Sequence, residues 1–136
     1  MNIQNKELLD KYPFLKSGED DFTWYDAIPE GWRIAFGEKL IEDIDAVIKR
    51  DNLTDFKILD IKEKYGTLRI YCSGASQGIY DVIDKYDVLS EKTCIECGKE
   101  ANWISKGWIS PYCNDCKKVL ERGGIQFVKI TESVER

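Results

Sequence analysis

Histidine is absent from the 136 residues of this chain. A serine hydrolase needs a base to take the hydroxyl proton, and histidine fills that role in the triad. The same absence removes Cys–His nucleophiles, His-ligated catalytic zinc and His-metal nucleases. This decides how residues 74–78 are read. GASQG is a literal G-x-S-x-G, with Ser76 where a hydrolase places its nucleophile. A Ser–Lys dyad through Lys85 survives in principle, but no buried parallel strand of an α/β alternation precedes the motif, as a nucleophile elbow requires. GASQG is therefore expected to be a Gly/Ser loop, with Ser76 as the N-cap of a helix.

Long apolar runs are lacking too. None approaches the ~18 residues of a membrane helix, and MNIQNKELLD has no basic-then-apolar signal pattern, so a cytosolic chain without a membrane partner is expected. Positive charge is scarce in the first part of the chain. Residues 1–93 carry 13 Lys and Arg against 19 Asp and Glu, residues 94–136 carry 7 against 6, and the formal net charge is −5. Between Glu19 and Asp45, only Arg33 and Lys39 oppose a run of acidic residues. Such a surface either just keeps the protein solvated or docks on a basic partner, and it repels nucleic acid.

Bulky core material is present: four Trp, seven Tyr and five Phe, in a chain that is 43% hydrophobic, enough to bury a real core. NKELLDKYPF reads as a short helix stopped before Pro13. KSGEDDFTWYDAIPEG reads as an acidic loop carrying Phe22, Trp24 and Tyr25. From Trp32 the steps of three and four through Phe36, Leu40, Ile44 and Val47 or Ile48 predict a helix to about Arg50, ending near Asn52. DFKILDIKEKYGTLRIYCSG alternates as a β-hairpin. Phe56, Ile58 and Asp60 are expected on one face, Lys57, Leu59 and Ile61 on the other, with Gly66 at positive φ in the turn. A second helix carries Ile79, Val82, Ile83, Tyr86 and Leu89 on one stripe and ends near Ser90. GGIQFVKITES reads as a last strand. The fold class is α+β: a helix and β-hairpin core over residues 1–93, and a zinc-ribbon-like module with a final strand over 94–136, integrated as one unit.

Cys94, Cys97, Cys113 and Cys116 form C-x2-C, fifteen residues, C-x2-C. That spacing is a zinc-ribbon arrangement: two thiolates of one knuckle reach a single ion, and two knuckles complete a tetrahedron. A cytosolic setting disfavours disulfides. Four thiolates suit Zn²⁺, with iron in a rubredoxin-like site as the alternative, and a closed shell implies a structural ion. Trp103 and Trp108, between the two pairs, either pack the small module or present a recognition surface. Cys72, on the Leu68/Ile70 face, reads as a buried apolar thiol.

IKEKYGTLRIYC, the helix IYDVIDKYDVLS and TCIECGKEANWISKGWISPYCNDC together resemble a family of small bacterial and phage proteins. Its pattern is a K-E-K-[FY]-G-x-L-R-[FY]-Y hairpin, a short helix and a C-terminal C-x2-C…C-x2-C. The resemblance spans residues 28–116. It implies a phage or mobile-element setting and a ligand role for the four cysteines, and it brings no catalytic residues.

These features point to a non-enzymatic zinc-binding protein that binds and modulates another protein. Inhibition of a host or defence factor, or an immunity role, would fit that setting. Trp24, Tyr25, Trp103 and Trp108 are the candidate contacts. Two alternatives compete. One is a nucleic-acid-binding ribbon using Lys99, Lys106, Lys117, Lys118 and Arg122. The other is a Mg²⁺ nuclease built on Asp60-Ile-Lys62, with Asp43, Asp45, Asp51 and Asp55 upstream.

Overall fold

A computed structural model describes residues 3–130. Helix α1 (Ile3–Lys11) stops before Pro13, which opens a single 3-10 turn, Pro13–Leu15, that drives Leu15 wholly into the core. Trp24–Ala27 form a second 3-10 turn where a loop was expected. The Asp26 carboxylate organises it, accepting from the Thr23 backbone N–H at 2.9 Å and from the amide of buried Asn5 on α1 at 3.2 Å.

The long helix begins two residues earlier than the periodicity indicates. It runs as α2 (Glu30–Trp32), one wide π-helical turn (Arg33–Gly37) and α3 (Glu38–Arg50). All of the predicted stripe, Trp32, Phe36, Leu40, Ile44 and Val47, is buried. Asn52 ends it with φ of 51°, the left-handed conformation asparagine tolerates.

Strands β1 (Lys57–Lys64) and β2 (Thr67–Ser73) pair antiparallel, Ile61 opposite Ile70 and Lys62 opposite Arg69. The expected faces of β1 need one correction. A bulge between Ile58 and Asp60 inserts Leu59 as an unpaired residue. An extra residue reverses the parity of the pleat, so Ile58 and Ile61 are both buried while Leu59 is exposed. The connection is a two-residue turn with Tyr65 at φ 53° and Gly66 at φ 79°. Positive φ at both central positions matches the right-handed twist of the strands.

Helix α4 (Gln77–Ser90) packs on α3 and on β2. Its buried face is carried by Ile79 and Tyr86, and Leu89, predicted on that stripe, is exposed. Ser90 ties the helix to the hairpin: its hydroxyl accepts the Leu68 backbone N–H at 2.9 Å and donates to the Asp87 carbonyl at 2.6 Å. Tyr86 stacks against Phe36, ring centroids 5.4 Å apart, and donates to Asp43 Oδ2 at 2.5 Å. Ser76 does occupy the N-cap position, but its hydroxyl donates to Asp51 Oδ2 at 2.6 Å and accepts no backbone N–H of its own helix.

The C-terminal module is a three-stranded antiparallel sheet ordered β4–β3–β5, from β3 (Trp103–Ser105), β4 (Pro111–Tyr112) and β5 (Phe127–Lys129). Between β4 and β5 lies α5 (Asn114–Glu121), a helix the ribbon reading did not anticipate. Residues Thr131–Ser133, expected in the last strand, lie outside the described residues. The module docks on the long helix by close backbone approach. The Gly31 N–H donates to the Ile95 carbonyl at 2.8 Å, and the indole N–H of fully buried Trp32 donates to the Thr93 carbonyl at 2.9 Å.

A methyl group at Gly31 would overlap the Cys94 carbonyl oxygen and the Ile95 backbone, with no flexible side chain there to yield. Gly31→Ala should therefore destabilise the protein by about 3 kcal/mol, the upper range for overpacking, read as a lowered urea midpoint at unchanged slope. Burial, and then the hydrogen bond to Asp43, push the Tyr86 hydroxyl well above its ordinary range. Burial does the same to Tyr25 and Tyr112. A tyrosine whose folded pKa exceeds its unfolded value contributes stability that is intact below about pH 10 and lost as pH rises beyond it. Melting temperature should fall above about pH 10, and less steeply in Tyr86→Phe.

Candidate metal centre

The first cysteine pair sits on the loop between α4 and β3, held by the backbone on both sides. The Cys94 N–H donates to the Lys99 carbonyl at 2.7 Å, the Gly98 N–H to the Cys94 carbonyl at 3.0 Å, and the Ile95 N–H to the Pro111 carbonyl at 3.0 Å. These bonds close a tight knuckle, with Gly98 at φ 83°. The second pair is supplied differently from a ribbon knuckle. Cys113 is the N-cap of α5 and Cys116 lies in its first turn, so a helix start aims both thiols. Cys113 Sγ accepts the Cys116 backbone N–H at 3.4 Å.

The four Sγ atoms lie within 4.8 Å of one another, with Cys97 and Cys113 3.5 Å apart. Four thiolates around a zinc ion at ~2.3 Å stand roughly 3.8 Å from each other, so the set needs only small adjustments to close on one ion. Cys94 and Cys113 are buried, Cys97 and Cys116 half-buried. The fit is therefore a closed tetrathiolate cage, and these four residues could hold a metal ion.

Electrostatics agree with that donor set. Burial pushes the Cys97 and Cys116 thiols up, since a thiolate loses solvation there. Burial opposes ionisation of Cys113 as well, but the Cys116 backbone N–H and the neighbouring thiols outweigh it and bring that group down. The start of α5 adds its partial positive charge at the same point. One thiolate is thus stabilised by the protein alone, and a divalent cation would be the natural counterion for the rest. Cys72 stands apart on the inner face of β2, half-buried and pushed up by burial.

The other candidate residues are dispersed. Trp24 is half-buried and packs edge-on against Phe22 at 6.4 Å. Tyr25 is half-buried beneath Arg33, whose guanidinium lies 5.9 Å from the ring centroid. Trp103 is occupied inside the module: its indole N–H donates to Asn114 Oδ1 at 2.7 Å, and Lys117 Nζ lies 4.2 Å from its ring centroid. Trp108, by contrast, is 76% exposed on the turn between β3 and β4. The aspartates do not gather around Asp60. Asp43 is engaged by Tyr86 and Lys85, Asp45 by Lys49, and Asp51 by Arg50 and Ser76. Among the described residues, the four cysteines are the one group of three or more such side chains placed to share an ion.

Sequence reasoning passed over Tyr65 and Tyr71, 60% and 42% exposed on the hairpin. A signal for Tyr65 existed, because the favoured two-residue hairpin turns, types I′ and II′, both place their first central residue at positive φ. Comparison with protein-family models, with curated proteins and with solved structures finds no match.

Cobalt(II) added to the reduced protein should give the intense visible absorption of a tetrahedral tetrathiolate site at one ion per chain. Cys113→Ser, which removes both a ligand and the α5 cap, should weaken the ion at least tenfold, and Cys72→Ser should leave it unchanged.

Proposed function

We propose that this chain is a non-enzymatic, zinc-stabilised protein that binds and modulates another protein bearing a basic surface. Zinc is assigned over iron because four thiolates in a closed tetrahedral cage are its usual structural shell, with no position left for a reactive water. The ion would be held by Cys94, Cys97, Cys113 and Cys116, and it would clamp the knuckle to the start of α5.

The observation that carries the binding reading is the surface around Tyr25. The wide turn of the long helix opens a cleft of about 430 Å³ beside Tyr25, lined also by Ile34 and Gly37 and by two carboxylates, Glu38 and Glu42, interspersed with two cations, Arg33 and Lys39. Ile34 stands 66% exposed at its rim, and Gly37 lets the Tyr25 ring lie close against the helix. A second cleft of about 530 Å³ continues from Tyr25 and Glu38 toward α1, adding Asp26. Carboxylates, an aromatic ring and an exposed isoleucine on one concave surface suit lysine or arginine side chains on a partner. The acidic excess of the stretch from Glu19 to Asp45, which contributes this surface, would speed encounter with such a partner. No described helix is long and apolar enough to cross a membrane, and a cytosolic site of action in a bacterial or phage-infected cell belongs to the same reading. Modulation of a host or defence factor, or immunity, is the role proposed.

Affinity capture on the zinc-loaded chain, after nuclease treatment, should retain a discrete partner that a Glu38→Lys/Glu42→Lys variant loses. Both residues are exposed, so that variant should keep the melting temperature within a few degrees. Equal retention by the folded variant would overturn the assignment of this surface.

A further inference from the structure

The outer face of the β1–β2 hairpin is charged oppositely to the surface around Tyr25. From Lys57 to Ser73 four basic residues stand against two acidic ones. Pairing places them by face: Lys62 opposite Arg69 and Asp60 opposite Tyr71 point away from the core with Lys64, while Ile61, Ile70 and Leu68 point into it. Thr67, opposite Lys64, is buried, and its hydroxyl accepts the Nε–H of half-buried Arg69 at 2.9 Å. Glu63 points with the inner set, and its carboxylate accepts the Gly66 N–H at 2.9 Å. Lys57, Lys62 and Lys64 are exposed, and Asp60 faces Lys62 at 3.9 Å. Lys62 Nζ lies 5.4 Å from the Tyr71 ring centroid and Lys64 Nζ 5.8 Å from that of Tyr65, so cations and rings alternate along the strip.

The tip of the hairpin meets the β3–β4 turn. Gly66 approaches the Ile109 backbone so closely that a Cβ there would lie 3.3 Å from its carbonyl oxygen. The two turns enclose a cleft of about 290 Å³ lined by Glu63, Lys64, Tyr65, Gly107, Trp108 and Ile109. Tyr65 and Trp108 are therefore presented side by side, with exposed Lys106 on the second turn. Tyr65 is also in the wrong conformation for its type. At φ 53° glycine, asparagine or aspartate would be more stable. A strained residue that exposes a large ring is retained at the expense of stability, and its ring then needs a use.

We infer that this strip binds single-stranded nucleic acid, the phosphates lying along Lys57, Lys62, Lys64 and Arg69 and unpaired bases stacking on Tyr71, Tyr65 and Trp108. Lysine is depleted at the centre of protein interfaces, whereas exposed rings alternating with cations form the stacking platform of single-strand binders. The site is distinct from the module lysines. Lys117 lies over Trp103 and pairs with Glu121, its side chain largely withdrawn from solvent. The surface around Tyr25 plays no part in it.

Fluorescence anisotropy of a labelled oligothymidine with the zinc-loaded full chain tests the assignment. Saturable binding is expected, weakening with salt at a log–log slope of up to about 3 in magnitude for four phosphate contacts. Trp108→Ala should weaken it about tenfold, the scale of one lost stack. Lys62→Glu/Lys64→Glu should weaken it further and flatten the salt slope. Tyr65→Asn separates binding from folding: it should raise or preserve the melting temperature while weakening binding about tenfold. A duplex of equal length should bind less tightly, because its bases are not free to stack. Absent binding, binding unchanged in both Trp108→Ala and Tyr65→Asn, or a duplex bound as tightly, would overturn the proposal. Equally tight binding of polyglutamate would reassign the strip to an acidic protein partner and overturn it too.

Discussion

Everything in this molecule is arranged around one close approach of backbones, that of the long helix at Gly31 to the knuckle at Cys94–Ile95. The Gly31 N–H is bonded to Ile95, Trp32 reaches past it to the Thr93 carbonyl, and Gly98 fits against the Gly31 carbonyl and Ala35. No side chain fits between these segments, so the contact requires glycine on both sides. Because it fixes the knuckle to the long helix, it fixes the first two cysteines relative to the core. Ile95 passes the constraint on through its N–H to Pro111, just before the second pair. The candidate metal cage is thus assembled from three directions, and its geometry is inherited from the packing of the core as much as from its own loop. The indole that anchors the knuckle is also among the largest fully buried side chains.

The wide turn at Arg33–Gly37 begins just after Trp32, which reaches the knuckle, and contains Phe36, which packs on Tyr86. A π turn is a common solution where a helix carries a functional surface, and here it opens the cleft beside Tyr25. At the other end of the core, the hairpin bends at its bulge and ends in a strained Tyr65. These three irregular backbone features lie at the two surfaces proposed for binding. Regular elements supply the core, and the departures from regularity shape the surface.

Much of this was legible in the chain. The cysteine spacing pointed to a shared ion because ligand geometry is local: two residues between thiols is a property of a knuckle, whatever surrounds it. The helix stripe from Trp32 to Val47 and the hairpin alternation reflect burial, which periodicity reports directly. The absence of histidine closed off the hydrolase reading of GASQG, and Ser76 stands at a helix start. Three things were not legible. The bulge at Leu59 adds one residue without any glycine or proline to mark it. Helix α5 follows its capping cysteine over only eight residues, too short to declare itself by period. The exposure of each aromatic depends on neighbours far along the chain: Trp103 is claimed by Asn114 and Lys117, while Trp108, five residues on, stands 76% exposed.

By itself, then, the sequence determined the long helix, the hairpin, the α+β class and the spacing of the four thiols, because those rest on short-range periodicity and on spacing within a turn. Only the tertiary structure decided which aromatics face solvent and which carboxylates are already paired with lysines. It alone decided, too, that the rings of Tyr65 and Trp108 stand together at the meeting of two turns some forty residues apart in the chain. Side-chain exposure is settled by what packs against it, and in this protein the packing is decided by contacts such as Gly31 to Ile95 and Gly66 to Ile109, which bring distant backbones together and leave no trace in local sequence pattern.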